Sequence, residues 1–337
     1  MVKNDISMIP DTFNAFYVDE DHQASIKSVP YSELPDHEVT IRVHYSSLNY
    51  KDALSSRGLN RVTKSYPHIP GIDAAGVVLN DQSGTFEEGQ EVIVTGNDLG
   101  TNTFGGFGEL IRVPASWVVK LPNGLSLEQS MSIGTAGFTA LYGIERLKTE
   151  SIELDGGPVL VTGATGGVGS FAVFSLSQLG YKVIAASTKS EANELLTVLG
   201  ANEIINSKDL IEAPSRPLLP RKWNGCIETV GGKLLDAVLR QTYPKGAVAC
   251  CGNVLGVQLQ TNVLPFILRG ISLLGIDSAF CIRSIREQIW ETAAQLPLDT
   301  LPDNYYRVVP LEQLSSEIDA ILDGKQVGRI VVKHSEP

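Results

Sequence analysis

The chain is poor in cysteine, in cationic side chains and in long apolar runs, and each shortage removes a class of function. Only 4 of its 337 residues are cysteine, and none precedes Cys226. Cys226, Cys250, Cys251 and Cys281 contain no C-x-x-C pair. Adjacent Cys250 and Cys251 are poorly placed to bridge, so the thiols read as reduced core residues rather than a disulfide framework or zinc knuckle. Lys and Arg number 27 against 38 Asp and Glu, a net charge of -11 that leaves no cationic footprint for nucleic acid. No apolar run approaches the roughly 20 residues that span a bilayer. Met1–Pro10 lacks the basic and apolar stretches of a secretory leader. The expectation is a cytoplasmic protein with neither membrane nor nucleic-acid partners.

Glycine, by contrast, is abundant, with 32 residues, many of them after short Val/Ile/Leu runs. That texture favours α/β architecture over a helical bundle, and the length favours two domains. Val39–Tyr45 alternates apolar and polar residues as a half-buried strand does. Ala75–Leu79, Glu91–Val94 and Leu110–Val113 predict further short strands, with a tight loop at Gly105-Gly106-Phe107-Gly108. Ser126 and Gln129 have the spacing of a capping box and open a helix expected to run to Leu147, interrupted around Gly134 and Gly137. From Pro158 strands and helices alternate, which predicts a parallel, doubly wound sheet. The tail from Tyr305 to Lys333 reads strand–helix–strand and is expected to return to the N-terminal β-rich part. The expected division is therefore 1–124 with 300–337, and 125–299.

The most informative motif is Thr162-Gly163-Ala164-Thr165-Gly166-Gly167-Val168-Gly169, which joins an apolar strand directly to a helix. That context marks a dinucleotide turn: Gly166 admits the pyrophosphate, Gly169 lets the helix pack closely, and the helix N-terminus favours the phosphates. An NAD site places a carboxylate at the end of the second strand. Here that strand ends Ala186-Ser187-Thr188-Lys189, with no acid before Glu191. Two hydroxyls and an ammonium suit a ribose phosphate, so NADPH is the expected cofactor.

Three further runs carry a resemblance. Ser47-Leu48-Asn49-Tyr50-Lys51-Asp52, Pro70-Gly71-Ile72-Asp73-Ala74-Ala75-Gly76 and Gly134-Thr135-Ala136-Gly137-Phe138-Thr139-Ala140 resemble medium-chain dehydrogenase/reductases. Within them the chain is similar to the zinc-free YhdH/YhfP branch of quinone oxidoreductases, which includes acryloyl-CoA reductases. Val263–Gly270 and Leu274–Ser278 match that branch's signature. The resemblance implies a GroES-like catalytic domain, a Rossmann domain inserted in it, a cleft where substrate and nicotinamide meet, and a homodimer pairing through the apolar stretch Ile271–Ile276. It also implies cofactor contacts from Tyr50, Thr139, Thr165, Gly166, Gly167, Val168, Tyr243, Asn253, Ile267 and Ser278. Two departures stand out: Ser207 replaces a frequent basic residue, and Val327 replaces a frequent Gln before Gly328-Arg329.

Zinc-dependent relatives place Cys near position 49 and Gly-His-Glu near 71–73. This chain has Asn49 and Gly71-Ile72-Asp73, so the three convergent ligands that catalytic zinc requires are not expected. Without a Lewis acid, a nicotinamide reductase can still reduce a polarised C=C bond or a quinone, given hydrogen-bond donors for the developing enolate and a proton source. Asn49 is the candidate for fixing or polarising substrate, Tyr50 for the nicotinamide-ribose end, and Asp52 for orienting a donor or water. An acryloyl-CoA reductase is the alternative, with Arg57, Arg61 and Lys64 as a candidate patch for the coenzyme phosphates. A non-catalytic NADPH-binding redox sensor is the alternative of another class.

Overall fold

The computed structural model describes residues 9–212 and 216–334; Met1–Met8, most of the stretch read for a leader, lie outside it. Contacts divide the chain into two compact units. The first takes the chain up to Thr135, Ala279–Gln295 and the part from Tyr306 on; the second takes Ala136–Ser278 and Leu296–Tyr305.

The first unit is built on a seven-stranded sheet. Its main path runs Tyr306–Pro310, Arg329–Lys333, Val39–Ser47, Asp73–Asp81, Glu91–Thr95, Val118–Lys120, and Leu110–Val113 pairs with Val39–Ser47. A separate hairpin, Thr12–Val18 with Ala24–Pro30, adds Phe13, Ala15, Phe16 and Val18 to one core cluster. Val39, Ile41, Val43, Ala74, Val78, Val92 and Val94 fill another, as the alternation in the sequence requires. The two tail strands join this sheet because Val331 and Val332 pair with Ser47 and Ser46. Helix Arg283–Ala294, read from sequence with the second part, belongs to the first unit. Its buried Arg286 donates to the carbonyl and hydroxyl of Thr95 and to the Ala279 carbonyl.

The second unit is a six-stranded parallel sheet in the order Glu203–Asn206, Val183–Ser187, Val159–Thr162, Trp223–Glu228, Thr242–Cys250, Ser272–Gly275. All four residues of Val159–Thr162 are buried, which is why the strand reads as an unbroken apolar run. Helix Gly167–Gln178 is buried from Gly169 through Leu176, so it shows almost no amphipathic stripe. The helix Leu127–Thr149 breaks only at Gly134, whose φ of 53° and ψ of -161° are non-helical. The second expected interruption, at Gly137, is absent.

Gly76 lies where the Asp73–Asp81 strand crosses Val39–Ser47, and a Cβ there would sit well inside contact distance of the Arg42 carbonyl. We expect Gly76→Ala to lower unfolding stability by about 1–3 kcal/mol through forced displacement of paired backbone. Denaturant unfolding of the two proteins checks this, and equal midpoints would contradict it.

Candidate functional site

In the first unit the chain leaves its longest strand at Ser47 and enters the short helix Tyr50–Ser56, with Asn49 as the helix N-cap in extended conformation. Asp52 accepts from the Asn49 backbone amide at 2.8 Å and from the Ile72 amide at 2.8 Å. It therefore ties the helix start to the approach of the Asp73–Asp81 strand, and both oxygens are committed to backbone. The side chain is fully buried; burial first, then the charge of Asp73, pushes its carboxyl up to about 7 despite those two hydrogen bonds.

The Asn49 carboxamide, expected to face substrate, is instead consumed internally. Its Nδ2 donates to Asp73 Oδ2 at 2.7 Å and to the Ser47 carbonyl at 3.3 Å, while Oδ1 accepts from Arg329 at 3.2 Å. Both amide hydrogens are thus taken, and a primary amide has no third. Tyr50 differs: it is 46% exposed at the first helical position. Its hydroxyl has no partner among the described residues. Asp73, Thr135 and Arg329 complete the cluster and were not singled out as functional from sequence. The available signal was a charged residue opening each of two apolar strands, since a buried charge demands a partner.

In the second unit the glycine turn follows strand Val159–Thr162 as expected. Gly166 caps helix Gly167–Gln178, leaving the amides of Gly167, Val168 and Gly169 without intrahelical acceptors. A Cβ at Gly169 would collide with the Gly163 carbonyl, and Gly163, at φ 55°, packs against Thr229 and Val230. This cradle of free amides and missing side chains fits a pyrophosphate. Beside the turn, Thr165 Oγ1 lies 3.4 Å from Ser187 Oγ, which in turn accepts from the Lys189 amide at 3.0 Å. Thr188 is exposed; Lys189 is half-buried, and burial draws its ammonium below the usual lysine pKa.

Thr139 Oγ1 donates to Ser278 Oγ at 2.7 Å, so these two expected contacts do meet. Asn253 follows Gly252, which packs on the Thr229 carbonyl, and lies at the same carboxyl edge of the sheet as the turn. Ile267 is 67% exposed on the short helix Leu264–Arg269. Tyr243 is elsewhere. Its ring lies against Gly157, before the amino end of Val159–Thr162, whereas the turn leaves the carboxyl end. The parallel strand order that sets Tyr243 at a strand start carries it away from the pyrophosphate cradle. Ser207, the departure noted above, is buried.

Glu228 also went unnoticed in the sequence. It accepts from Thr162 Oγ1 at 3.2 Å and from the amides of Val230 and Gly231 at 3.0 and 2.9 Å, bracing the strand ends around the turn. Burial and then Glu228 push the Cys250 and Cys251 thiols up to about 11 and about 12, which keeps both protonated.

The buried Asp52 has a consequence for stability. Because its folded-state value lies above that of an unfolded aspartate, the native state keeps a proton that the unfolded chain releases. Its contribution is full below the unfolded value, near 3.8, and is lost as pH rises through about 7. His68 and His334, drawn down to about 4 by burial, act with the opposite sign and lose their contribution as pH falls from the ordinary histidine value through about 4. We therefore expect Asp52→Asn to lower Tm more at about pH 5 than at about pH 8, with a deficit that narrows by several degrees between them. Thermal melts across this range check it; a deficit independent of pH would contradict it.

Comparison with known proteins places both units. Residues 35–123 match the alcohol dehydrogenase GroES-like domain, and residues 167–296 match the zinc-binding dehydrogenase family. The chain is 41% identical over 315 residues to putative quinone oxidoreductase YhfP of Bacillus subtilis, covering 93% of this chain and 96% of that protein. It is also 41% identical over 326 residues to acrylyl-CoA reductase AcuI of Ruegeria pomeroyi, covering 95% and 98%. Among solved structures, YhdH of Salmonella enterica in complex with NADP matches with a TM-score of 0.89 and 40% identity over 96% of this chain and 98% of that one. YhfP of Bacillus subtilis with NAD bound matches with a TM-score of 0.92 and 40% identity over 96% and 100%.

The zinc named in one family description finds no fitting donor set here. Asp73 accepts four hydrogen bonds from Ser47, Asn49 and Thr135, and no group of three or more His, Cys, Asp or Glu side chains that could hold a metal occurs among the described residues. With a GroES-like unit, a parallel-sheet dinucleotide unit and relatives matched along nearly its full length, the chain belongs to the medium-chain dehydrogenase/reductases, in the quinone oxidoreductase and acrylyl-CoA reductase branch that holds YhdH, YhfP and AcuI.

Proposed function

We propose that this oxidoreductase uses NADPH to reduce quinones or α,β-unsaturated carbonyl compounds without a metal. The glycine turn carries the reading: Gly167, Val168 and Gly169 offer amides without intrahelical acceptors to a pyrophosphate, and Ser187, Thr188 and Lys189 follow at the end of the neighbouring strand where an NAD site would place an acid. When bound, NADPH supplies the hydride. The chain's own part is to hold the dinucleotide by Thr165 to Val168, Ser187 and Lys189, and to offer the Tyr50 hydroxyl as a donor to the carbonyl oxygen on which charge builds. With Asp52 and Asn49 both committed inside the protein, Tyr50 replaces Asn49 as the group that meets substrate. Thr139, Ser278 and Asn253 are further candidates on the dinucleotide side.

A second reading, reduction of acryloyl-CoA, is favoured by the AcuI relative and by the exposed Arg61 and Lys64. Arg57 is withdrawn from that patch, because it pairs with Asp319 at 2.6 Å and also donates to Ser315. A homodimer fits the strand Ser272–Gly275, which is an edge of its sheet among the described residues, and the exposed apolar Val263, Ile267 and Leu268 in the same unit; a cytoplasmic place is proposed from the sequence alone.

NADPH oxidation measured side by side with 1,4-quinones and acryloyl-CoA tests the reading. We expect turnover with at least one acceptor and a kcat lowered about tenfold or more by Tyr50→Phe. Tight NADPH binding without turnover on either would favour the redox-sensor alternative. In titrations, NADPH should bind more tightly than NADH, and Ser187→Ala or Lys189→Ala should each narrow that preference by about three- to tenfold. Indifference to the phosphate would refute the cofactor assignment.

A further inference from the structure

The polar cluster under Tyr50 contains one buried anion and one buried cation that do not touch. Asp73 is fully buried, and its carboxylate accepts from Ser47 Oγ at 2.5 Å, Asn49 Nδ2 at 2.7 Å, the Thr135 amide at 2.9 Å and Thr135 Oγ1 at 2.5 Å. Arg329 is 3% exposed and donates to Ser47 Oγ at 3.0 Å, to Asn49 Oδ1 and the Leu48 carbonyl at 3.2 Å, and to the Ser132 carbonyl at 3.3 Å. Two side chains bridge the opposite charges. Ser47 takes a hydrogen bond from Arg329 and gives one to Asp73; the Asn49 amide does the same with its oxygen and nitrogen. Flipping that amide would set oxygen against carboxylate and NH2 against guanidinium, so the charges fix its orientation. Gly134 makes room: a Cβ there would lie within 2.5–2.8 Å of Ser47 Oγ, Asp73 Oδ2 and Arg329 Nη2.

We infer that Asp73 and Arg329 are positioning residues, a split ion pair that clamps Asn49 directly, with Ser47 as a second bridge, and so fixes the helix start that presents Tyr50. A buried carboxylate and a buried guanidinium each cost desolvation, and the two hydrogen-bonded bridges offset that cost only if all members are present. The consequence for activity rests on the proposed reduction chemistry; the clamp itself does not.

The test uses the full-length protein with Arg329→Lys, which keeps the charge but loses the fork, and Ser47→Ala, which keeps both charges and removes one bridge. Assayed well below each variant's Tm, Arg329→Lys should lose at least about tenfold in kcat and Ser47→Ala a smaller factor, with the NADPH dissociation constant of both within about twofold of the parent. A folded Arg329→Lys protein with parental kcat, or one whose loss follows an equal loss of NADPH affinity, overturns the inference. Hydrogen exchange of the Asn49 side-chain amide, followed by NMR, needs no turnover. It should be slow in the parent and fast in both variants, whereas fast exchange in the parent overturns the clamp even if reductase activity is found. Slow exchange in a parent that reduces neither acceptor upholds the clamp and rejects the proposed reaction instead. Stoichiometric zinc in the purified parent, measured by elemental analysis, would also overturn it.

Discussion

A carboxylate taken wholly out of water must be matched by donors, and the first unit is arranged around one such group. Asp73 draws Ser47, Asn49 and Thr135 onto itself, so that with its own strand three separate stretches of chain meet. Arg329 adds a fourth stretch from the returning tail. The strand end, the helix cap, the kinked helix at Gly134 and the tail are therefore held together by polar bonds at a single point rather than by apolar packing alone. Removing one partner would leave a buried charge unmatched, which is the most costly kind of local loss.

The second unit meets a different constraint, since backbone must approach a bulky anion without side chains in the way. Gly163 and Gly169 remove Cβ atoms where turn and helix meet, and Glu228 braces Thr162 and the Val230–Gly231 amides from below. Rigidity here comes from hydrogen bonds between strand ends, while the cradle amides of Gly167 and Val168 stay unpaired for the ligand. The adjacent thiols, kept protonated by burial and by Glu228, pack as small apolar groups.

Much of the fold was legible because it rests on short-range signals. Alternation from Val39 to Tyr45 and the wholly apolar run from Val159 each reported how many faces of a strand are covered. The glycine turn was legible because its strand and helix neighbours are contiguous in sequence. The partners of Asn49 were not legible, because its amide is claimed by Asp73 and by Arg329, which lies 280 positions away, and no local pattern reports such a partner. The placement of Tyr243 was not legible for a topological reason: a matched position in a parallel strand says nothing about which end of the sheet it occupies unless strand boundaries are known. Gly137 kept its helical turn because one break, at Gly134, already makes the space that the cluster needs.

The central claim is that a dinucleotide seated on main-chain amides gives up a hydride to a polarised acceptor. Single-turnover oxidation of NADPH carrying deuterium at the transferring C4 position, compared with unlabelled NADPH, addresses it most directly. The account predicts that oxidation depends on added quinone or α,β-unsaturated thioester and is slowed by the label about two- to fivefold when hydride transfer limits the rate. Oxidation that ignores the acceptor, or none with either acceptor class, would contradict it.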